Sequence, residues 1–100
     1  MSYEPRLQRN ATAKISQFLH ETYRTRAAYD VATEEIRLAL LRLAASPKLA
    51  VSPPGPFETR PIYRFALNAD GSNREVEVCF CFDVNDPGER TILITDFREV

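Results

Sequence analysis

Apolar side chains recur at helical spacing through residues 11–45 and alternate with polar ones through residues 62–97. One apolar stripe at the start of the first stretch predicts an amphipathic helix. Its members are Ile15, Phe18, Leu19, Tyr23 and Ala27. Asn10 precedes the stripe, and its side-chain oxygen can accept an unpaired amide hydrogen of the first turn, so we expect it to be the N-cap. Pro47 disfavours helical geometry at Ser46 and therefore ends the helical region there.

A single helix over residues 11–45 would be unusually long for a chain of 100 residues, so we predict two helices. They are expected to separate near Tyr29, with Asp30 or Thr33 as the cap of the second helix. The core arc of this second helix follows from its 100° periodicity. It contains Ala32, Ile36, Ala39, Leu40 and Leu43.

Two leucines of the second helix, Leu38 and Leu41, fall outside that core arc and among charged residues. Two interpretations of them are open. The first helix covers them, or they form a partner-binding stripe for a helix of another protein or for a second copy of this chain.

The second half of the chain predicts β-strands. Strands are expected over Ile62 to Asn68, over the alternating run from Glu75 to Val84, and over Arg90 to Phe97. In the middle strand Val76, Val78, Phe80, Phe82 and Val84 should face the helices, and Glu75, Glu77, Cys79, Cys81 and Asp83 should face the other way. Turns are expected at Asp70–Gly71 and at Asn85–Gly88. A weak first strand over Tyr3 to Arg9 should lie at a sheet edge, because Pro5 lacks a backbone donor.

These elements predict an α+β fold in which two N-terminal helices pack on one face of a three- to four-stranded antiparallel sheet. We expect one domain over residues 1–100, with helices at about 10–45, a proline-rich connector at 46–61 and an antiparallel meander at 62–97.

Charge is distributed unevenly along the chain. Residues 1–50 carry a net charge of +3 and residues 51–100 carry −4. A sheet half this acidic is a poor general attractor for nucleic acid, because affinity of that kind comes mainly from neutralising phosphates. The N-terminal residues lack the basic start and apolar core of a signal peptide, and no apolar run approaches the length of a membrane span, so we expect a cytoplasmic protein that does not contact membranes.

No cofactor or metal is expected. Cys79 and Cys81 share a strand face, where a bridge between them would distort the backbone, and His20 is the single histidine. Both cysteines are therefore interpreted as small buried thiols. The chain also has no nucleophile motif and no Gly-rich phosphate loop.

Five stretches resemble the RelE/ParE toxin family of bacterial type II toxin–antitoxin systems. They are Tyr3–Ala11, Leu41–Leu49, Ile62–Phe65, Phe80–Asp83, and Thr91–Ile94 with its continuation Phe97–Val100. They occur in the family's order of weak strand, two helices, proline loop and three-strand meander with a terminal arginine, and they cover nearly the whole chain.

The ribonuclease branch of this family cuts messenger RNA on the ribosome by attack of a 2′-hydroxyl on the adjacent phosphate. Basic side chains stabilise the charge that develops there. The resemblance places Arg64 at the first basic position of the second strand and Arg98 at the phosphate-binding position after the last strand, and it implies that both are catalytic. Both should then point away from the helices. The alternative for Arg64 is an ion pair with Glu75 or Glu77, and for Arg98 one with Asp96 or Glu99.

The chain also departs from the family pattern. Ala66 stands at the second basic position of its strand, and Arg74 is the nearest arginine to the basic position expected near Val76. The family's C-terminal tyrosine has no counterpart up to Val100. Enzymatic activity is therefore left open; if the chain is an enzyme, the resemblance implies an endoribonuclease.

Two functional hypotheses follow. In the first, the chain is a toxin-like component of a bacterial toxin–antitoxin pair, which inhibits translation by cleaving messenger RNA or inhibits DNA gyrase, and which binds a small antitoxin near Leu38 and Leu41. In the second, it is a non-catalytic protein-interaction module of the same fold that has lost the active site and forms a homodimer.

Overall fold

A computed structural model describes residues 3–46, 61–83 and 90–100. Six elements lie in these ranges: β1 Glu4–Leu7, α1 Arg9–Thr22, α2 Arg26–Ala45, β2 Ile62–Leu67, β3 Arg74–Phe82 and β4 Thr91–Glu99. The fold is α+β, with two helices and a four-stranded sheet. Most of the predicted proline-rich connector, Val84 and the predicted turn at Asn85–Gly88 lie outside the described residues. Within the described ranges, no helix has the length and apolar character needed to cross a membrane.

The strands are arranged in the order β1-β4-β3-β2. β2, β3 and β4 form the predicted antiparallel meander, and β1 lies at an edge as Pro5 required. However, β1 pairs with β4 in the parallel direction, with Pro5 opposite Ile92. The prediction of an antiparallel sheet is therefore wrong at this strand, and the sheet is mixed. Both helices intervene between β1 and the meander, and a connection of this length permits a parallel pair.

Both helix starts differ from the predictions. α1 begins after Gln8, whose backbone N–H donates to the Ile94 carbonyl at 3.0 Å, and Asn10 is already inside the helix. Its side chain donates to the Thr95 carbonyl at 3.0 Å instead of capping. α2 begins after Thr25, whose hydroxyl oxygen accepts the Ala28 N–H at 3.1 Å.

The break between the helices is therefore earlier than predicted, and Asp30 and Thr33 lie within α2. Tyr23 adopts an extended conformation at the end of α1 and buries its ring edge-on against Phe18, with 6.1 Å between the ring centroids. Ala27, predicted to belong to the stripe of the first helix, is exposed in α2. The end of α2 at Ala45, with Ser46 as its C-cap, agrees with the stop signal from Pro47.

The core lies between the two helices and one face of the sheet. The predicted core arc of α2 is buried, as are Tyr63, Phe65 and Leu67 of β2 and Val76, Val78 and Phe80 of β3. The β2–β3 turn has the predicted positive φ at Gly71, which is +83°. Phe82 departs from the predicted alternation, because it is 48% exposed and contacts Tyr3 at the end of the sheet, with 5.2 Å between ring centroids.

An extra residue interrupts the pairing of β3 with β4. Cys79 is opposite Asp96 and Phe80 is opposite Ile94, so Thr95 has no partner in the ladder and forms a β-bulge. A bulge of one residue reverses the alternation of side chains beyond it. Ile92, Ile94 and Phe97 therefore all join the core, and Arg98 lies on the opposite face of the sheet.

The contrast between Phe80 and Phe82 gives a test of this packing. Phe80 is 1% exposed, so Phe80→Ala should lower the free energy of unfolding by about 3–5 kcal/mol through lost burial and a residual cavity. Phe82→Ala removes the same ring from a half-exposed site and should cost less than about 1.5 kcal/mol. Urea denaturation of both variants measures the difference, and equal losses would contradict the assignment of Phe82 to the surface.

Candidate functional site

Three charged side chains lie in one row across the meander, on the face opposite to the helices. Arg64 of β2 is the register partner of Glu77 of β3, and Glu77 is the partner of Arg98 of β4. The Arg64 Nε donates to Glu77 Oε2 at 2.9 Å, and the Arg98 Nε donates to Glu77 Oε1. The row thus brings together the two arginines that the sequence singled out and places one carboxylate between them.

Glu77 is deeply buried for a charged residue. It is 5% exposed, whereas the side chains of Arg64 and Arg98 are 56% and 49% exposed. Each of its two carboxylate oxygens accepts a hydrogen bond from an arginine at this buried position. Burial by itself raises the pKa of the Glu77 carboxyl, but the hydrogen bonds from Arg64 and then Arg98 outweigh burial and hold the pKa below its ordinary value of 4.5. Glu77 is therefore an anion at neutral pH.

The row carries little net positive charge. Its two arginines are balanced in part by Glu77 and in part by Glu75, an exposed residue two positions earlier on β3 and on the same face. Ala66 is the register partner of Glu75, so the second basic position of the family pattern adds no charge here. A phosphate approaching this face meets two arginines and two carboxylates, which is a weak electrostatic attractor.

This arrangement limits the chemistry that the row can perform. An arginine stabilises a developing phosphate charge when its donors point at that charge before the reaction. Here both Nε groups point at a carboxylate that is fixed to the central strand of the meander. Glu77 is also a poor general base, because its low pKa weakens it as an acceptor and the two arginines occupy both of its oxygens. The row is well suited to stabilising the sheet.

The sequence offered ion pairs as the alternative to catalysis for Arg64 and Arg98, and the structure gives a different result for each. Arg64 pairs with Glu77, one of the two acids expected for it. Arg98 pairs with Glu77, whereas Asp96 binds Lys14 at 2.7 Å and Glu99 lies 3.4 Å from Arg74. The sequence missed the shared role of Glu77 because that role depends on the register of both of its neighbouring strands.

A second set of contacts attaches α1 to the bulge. Besides the bond from Asn10 to the Thr95 carbonyl, Lys14 donates to Asp96 Oδ1 at 2.7 Å. Burial raises the pKa of the Asp96 carboxyl, but the bonds from Lys14 and from the backbone N–H of Phe97 lower it to a value below the ordinary one. Asn10 and Lys14 are one helical turn apart on α1, so one face of this helix binds both Thr95 and Asp96.

The predicted partner-binding leucines are placed at the surface. Leu38 and Leu41 are 46% and 42% exposed, so α1 does not cover them. Both line an open groove of about 500 Å³, together with Glu35, Arg42, Ala45 and Ala66. Cys79, predicted to be a buried thiol, is buried, whereas Cys81 is partly exposed, and neither forms a disulfide.

Comparisons with known proteins give no match: no protein-family model, no curated protein and no solved structure matches this chain. The site must therefore be interpreted from its own geometry.

The lowered pKa of Glu77 predicts a specific dependence of stability on pH. The Glu77 carboxylate binds a proton more tightly in the unfolded chain than in the folded one. Its contribution to the free energy of unfolding is therefore fully present above pH 4.5, and it is lost as the pH falls through the lower pKa of the folded state. Glu77→Gln should reduce the free energy of unfolding by about 1–3 kcal/mol at pH 7, since it removes the negative charge and turns one of the two acceptor oxygens into an NH2 donor that faces an arginine. The difference from the parent protein should shrink towards pH 3, as measured by urea denaturation.

Glu75→Gln is the matched control for this experiment. It makes the same chemical change at an exposed position of the same strand face, and it should alter stability by less than about 0.5 kcal/mol at either pH. A loss of stability in Glu77→Gln that stayed constant from pH 7 to pH 3 would contradict the proposed ion pairs.

Proposed function

We propose that this chain is a toxin-like component of a bacterial toxin–antitoxin pair with a RelE/ParE-like fold. The observation that carries the proposal is the architecture. An edge strand, two helices and a three-stranded meander with an arginine near the end of its last strand follow one another in the order of the family that the sequence resembles. Two further points support it: Arg64 and Arg98 lie on one face, and that face is opposite to the helices.

The geometry of the Arg64–Glu77–Arg98 row helps to choose between messenger RNA and DNA gyrase as the target. Cleavage of messenger RNA requires arginine donors that face a phosphate, and here a buried carboxylate takes one donor from each arginine. Inhibition of DNA gyrase is a matter of binding a protein and does not require this set of residues. We therefore favour gyrase over messenger RNA as the target, acting in the cytoplasm, with a small antitoxin as the neutralising partner.

A second function is favoured by a specific observation. Glu77 pairs with both arginines of the row, which argues against RNA cleavage. Three large apolar side chains of α2, those of Val31, Leu38 and Leu41, are exposed to solvent. A non-catalytic interaction module that retained the fold and lost the active site would have these two properties.

Induced expression in a bacterium tests the proposed function. Growth is followed together with pulses of labelled amino acid and labelled thymidine. We expect growth arrest in which thymidine incorporation falls before amino-acid incorporation. Arg98→Ala should leave this arrest in place, because Arg98 is assigned to the sheet and not to a reaction. Arg26→Ala is the control, since Arg26 is a 91% exposed arginine that pairs with Asp30 on the helix surface.

The other outcomes each identify a different branch. An early fall in amino-acid incorporation that Arg98→Ala relieves and Arg26→Ala does not would overturn the choice of gyrase and support RNA cleavage. Normal growth with soluble protein would overturn the toxin proposal and leave the interaction module.

A further inference from the structure

Three buried polar atoms lie where the helices meet the β2–β3 hairpin, and none of them has a hydrogen-bond partner within the described residues. They are the Tyr23 hydroxyl, Glu35 Oε1 and Arg74 Nε. Each belongs to a different element, because Tyr23 is the C-cap of α1, Glu35 lies on α2 and Arg74 begins β3. Buried polar groups of native proteins are nearly always hydrogen-bonded, so this set calls for a shared partner.

The strand register directs Arg74 towards the helices. Arg74 is the partner of Leu67 across the hairpin, and both Leu67 and Val76, two positions after Arg74, are buried in the core. Register partners and residues two positions apart share a face of the sheet. The Arg74 side chain is 34% exposed, with Nη1 lying 3.4 Å from Glu99 Oε2, whereas its Nε is buried. The guanidinium thus offers one donor to the interior.

Glu35 divides its carboxylate in a similar way. Its Oε2 accepts the backbone N–H of Asn68, just after β2, at 2.9 Å. Its Oε1 is buried, and no group in the described part of the chain donates to it. One oxygen therefore holds α2 to the hairpin, and the other remains as a buried acceptor.

Tyr23 supplies the third group and indicates that the set is close together. It is 4% exposed. Burial raises the pKa of its hydroxyl above the ordinary 10, and the charge of Asp70 raises it further. The charge of Arg74 lowers this pKa and that of Glu35 raises it, so both lie near enough to act on the hydroxyl. The hydroxyl is protonated at neutral pH and can both donate and accept.

A water molecule matches these three groups. Arg74 Nε can only donate, the Glu35 carboxylate oxygen can only accept, and the Tyr23 hydroxyl can do either. The guanidinium would repel a cation and the carboxylate an anion, so a neutral molecule with donors and acceptors is required. Because the three atoms are buried, that molecule must also be very small. Buried waters occur at about one per 27 residues and form about three hydrogen bonds each, to groups that are otherwise unpaired.

We propose that ordered water binds between Tyr23, Glu35 and Arg74 and links α1, α2 and the β2–β3 hairpin. The water accepts from Arg74 Nε, donates to Glu35 Oε1 and forms one further hydrogen bond with the Tyr23 hydroxyl. Together with the bond from Glu35 to Asn68, it fixes the hairpin against the helices. The hairpin carries two members of the charged row, so this site supports the position of that row from the opposite face of the sheet.

Removing the Tyr23 hydroxyl tests whether that group is hydrogen-bonded. Tyr23→Phe should lower the thermal midpoint by about 4–8 °C, the shift that corresponds to one net hydrogen bond in a domain of this size. If the hydroxyl were buried without a partner, its removal would leave the midpoint unchanged or raise it. Tyr29→Phe is the matched control: Tyr29 is a partly exposed tyrosine on α2, and its variant should shift the midpoint by less than half as much.

Nuclear magnetic resonance of the ¹⁵N-labelled chain identifies the partner. The Arg74 Nε–H signal is assigned by its loss in Arg74→Lys. It should show a cross-peak at the water frequency, with opposite signs in the laboratory-frame and rotating-frame Overhauser experiments, which is the signature of water that stays bound. A cross-peak of equal sign in both experiments would report exchange with bulk solvent and would contradict a buried site.

This inference does not rest on the toxin proposal, because both measurements use the purified chain alone. An unchanged or raised midpoint in Tyr23→Phe would overturn it. A lowered midpoint would also overturn it if Arg74 Nε–H gave Overhauser contacts to another group of the protein and none to water, since a direct bond would then fill the site.

Discussion

The β-bulge at Thr95 is the constraint on which both the core and the candidate site depend. A regular β4 would place Ile92, Ile94, Asp96 and Arg98 on one face, which would put two charges into the core beside the helices. The extra residue reverses the alternation after Ile94, so Phe97 enters the core and Arg98 reaches the opposite face. Because of this one unpaired residue, the Phe97 ring is buried and the Arg98 guanidinium is kept out of the core. Burying a guanidinium without a partner would cost free energy.

The bulge is held from several sides, which explains how an interruption of the ladder can be tolerated. The Thr95 hydroxyl donates to the Cys79 carbonyl at 3.3 Å, within the same sheet. On the helical side, Asn10 donates to the Thr95 carbonyl, and Lys14 forms an ion pair with Asp96. The Thr95 carbonyl at the bulge thus accepts a hydrogen bond from a side chain of α1. The start of α1, the register of β4 and the position of Arg98 form one connected system.

The sequence predicted most of the fold for reasons that are local. The α2 core arc, the end of α2 at Ala45 and the apolar face of β2 follow from periodicity and from a proline, and these signals do not depend on distant residues. One miss is local: the helices separate earlier than predicted because the Thr25 hydroxyl caps α2 by accepting the Ala28 N–H. Three other misses involve partners far away in the chain. Local sequence suggested that Asn10 is a helix cap, but its side chain binds Thr95, which lies 85 positions away in the chain. The parallel direction of β1 depends on where the chain returns, and the role of Glu77 depends on two strand registers at once. Of the candidate site, Arg64 and its acid could be inferred from a single hairpin, whereas the link to Arg98 required the bulge.

The same reasoning governs the functional conclusion. A family pattern carried over residue by residue identifies two arginines, but their chemistry is decided by Glu77, which the pattern does not mention. The most direct measurement is a pH titration of the Glu77 carboxyl carbon by nuclear magnetic resonance. If Glu77 is held between Arg64 and Arg98, its midpoint will lie below the ordinary 4.5. A midpoint at or above 4.5 would contradict the ion-paired row and return both arginines to consideration as phosphate-binding residues.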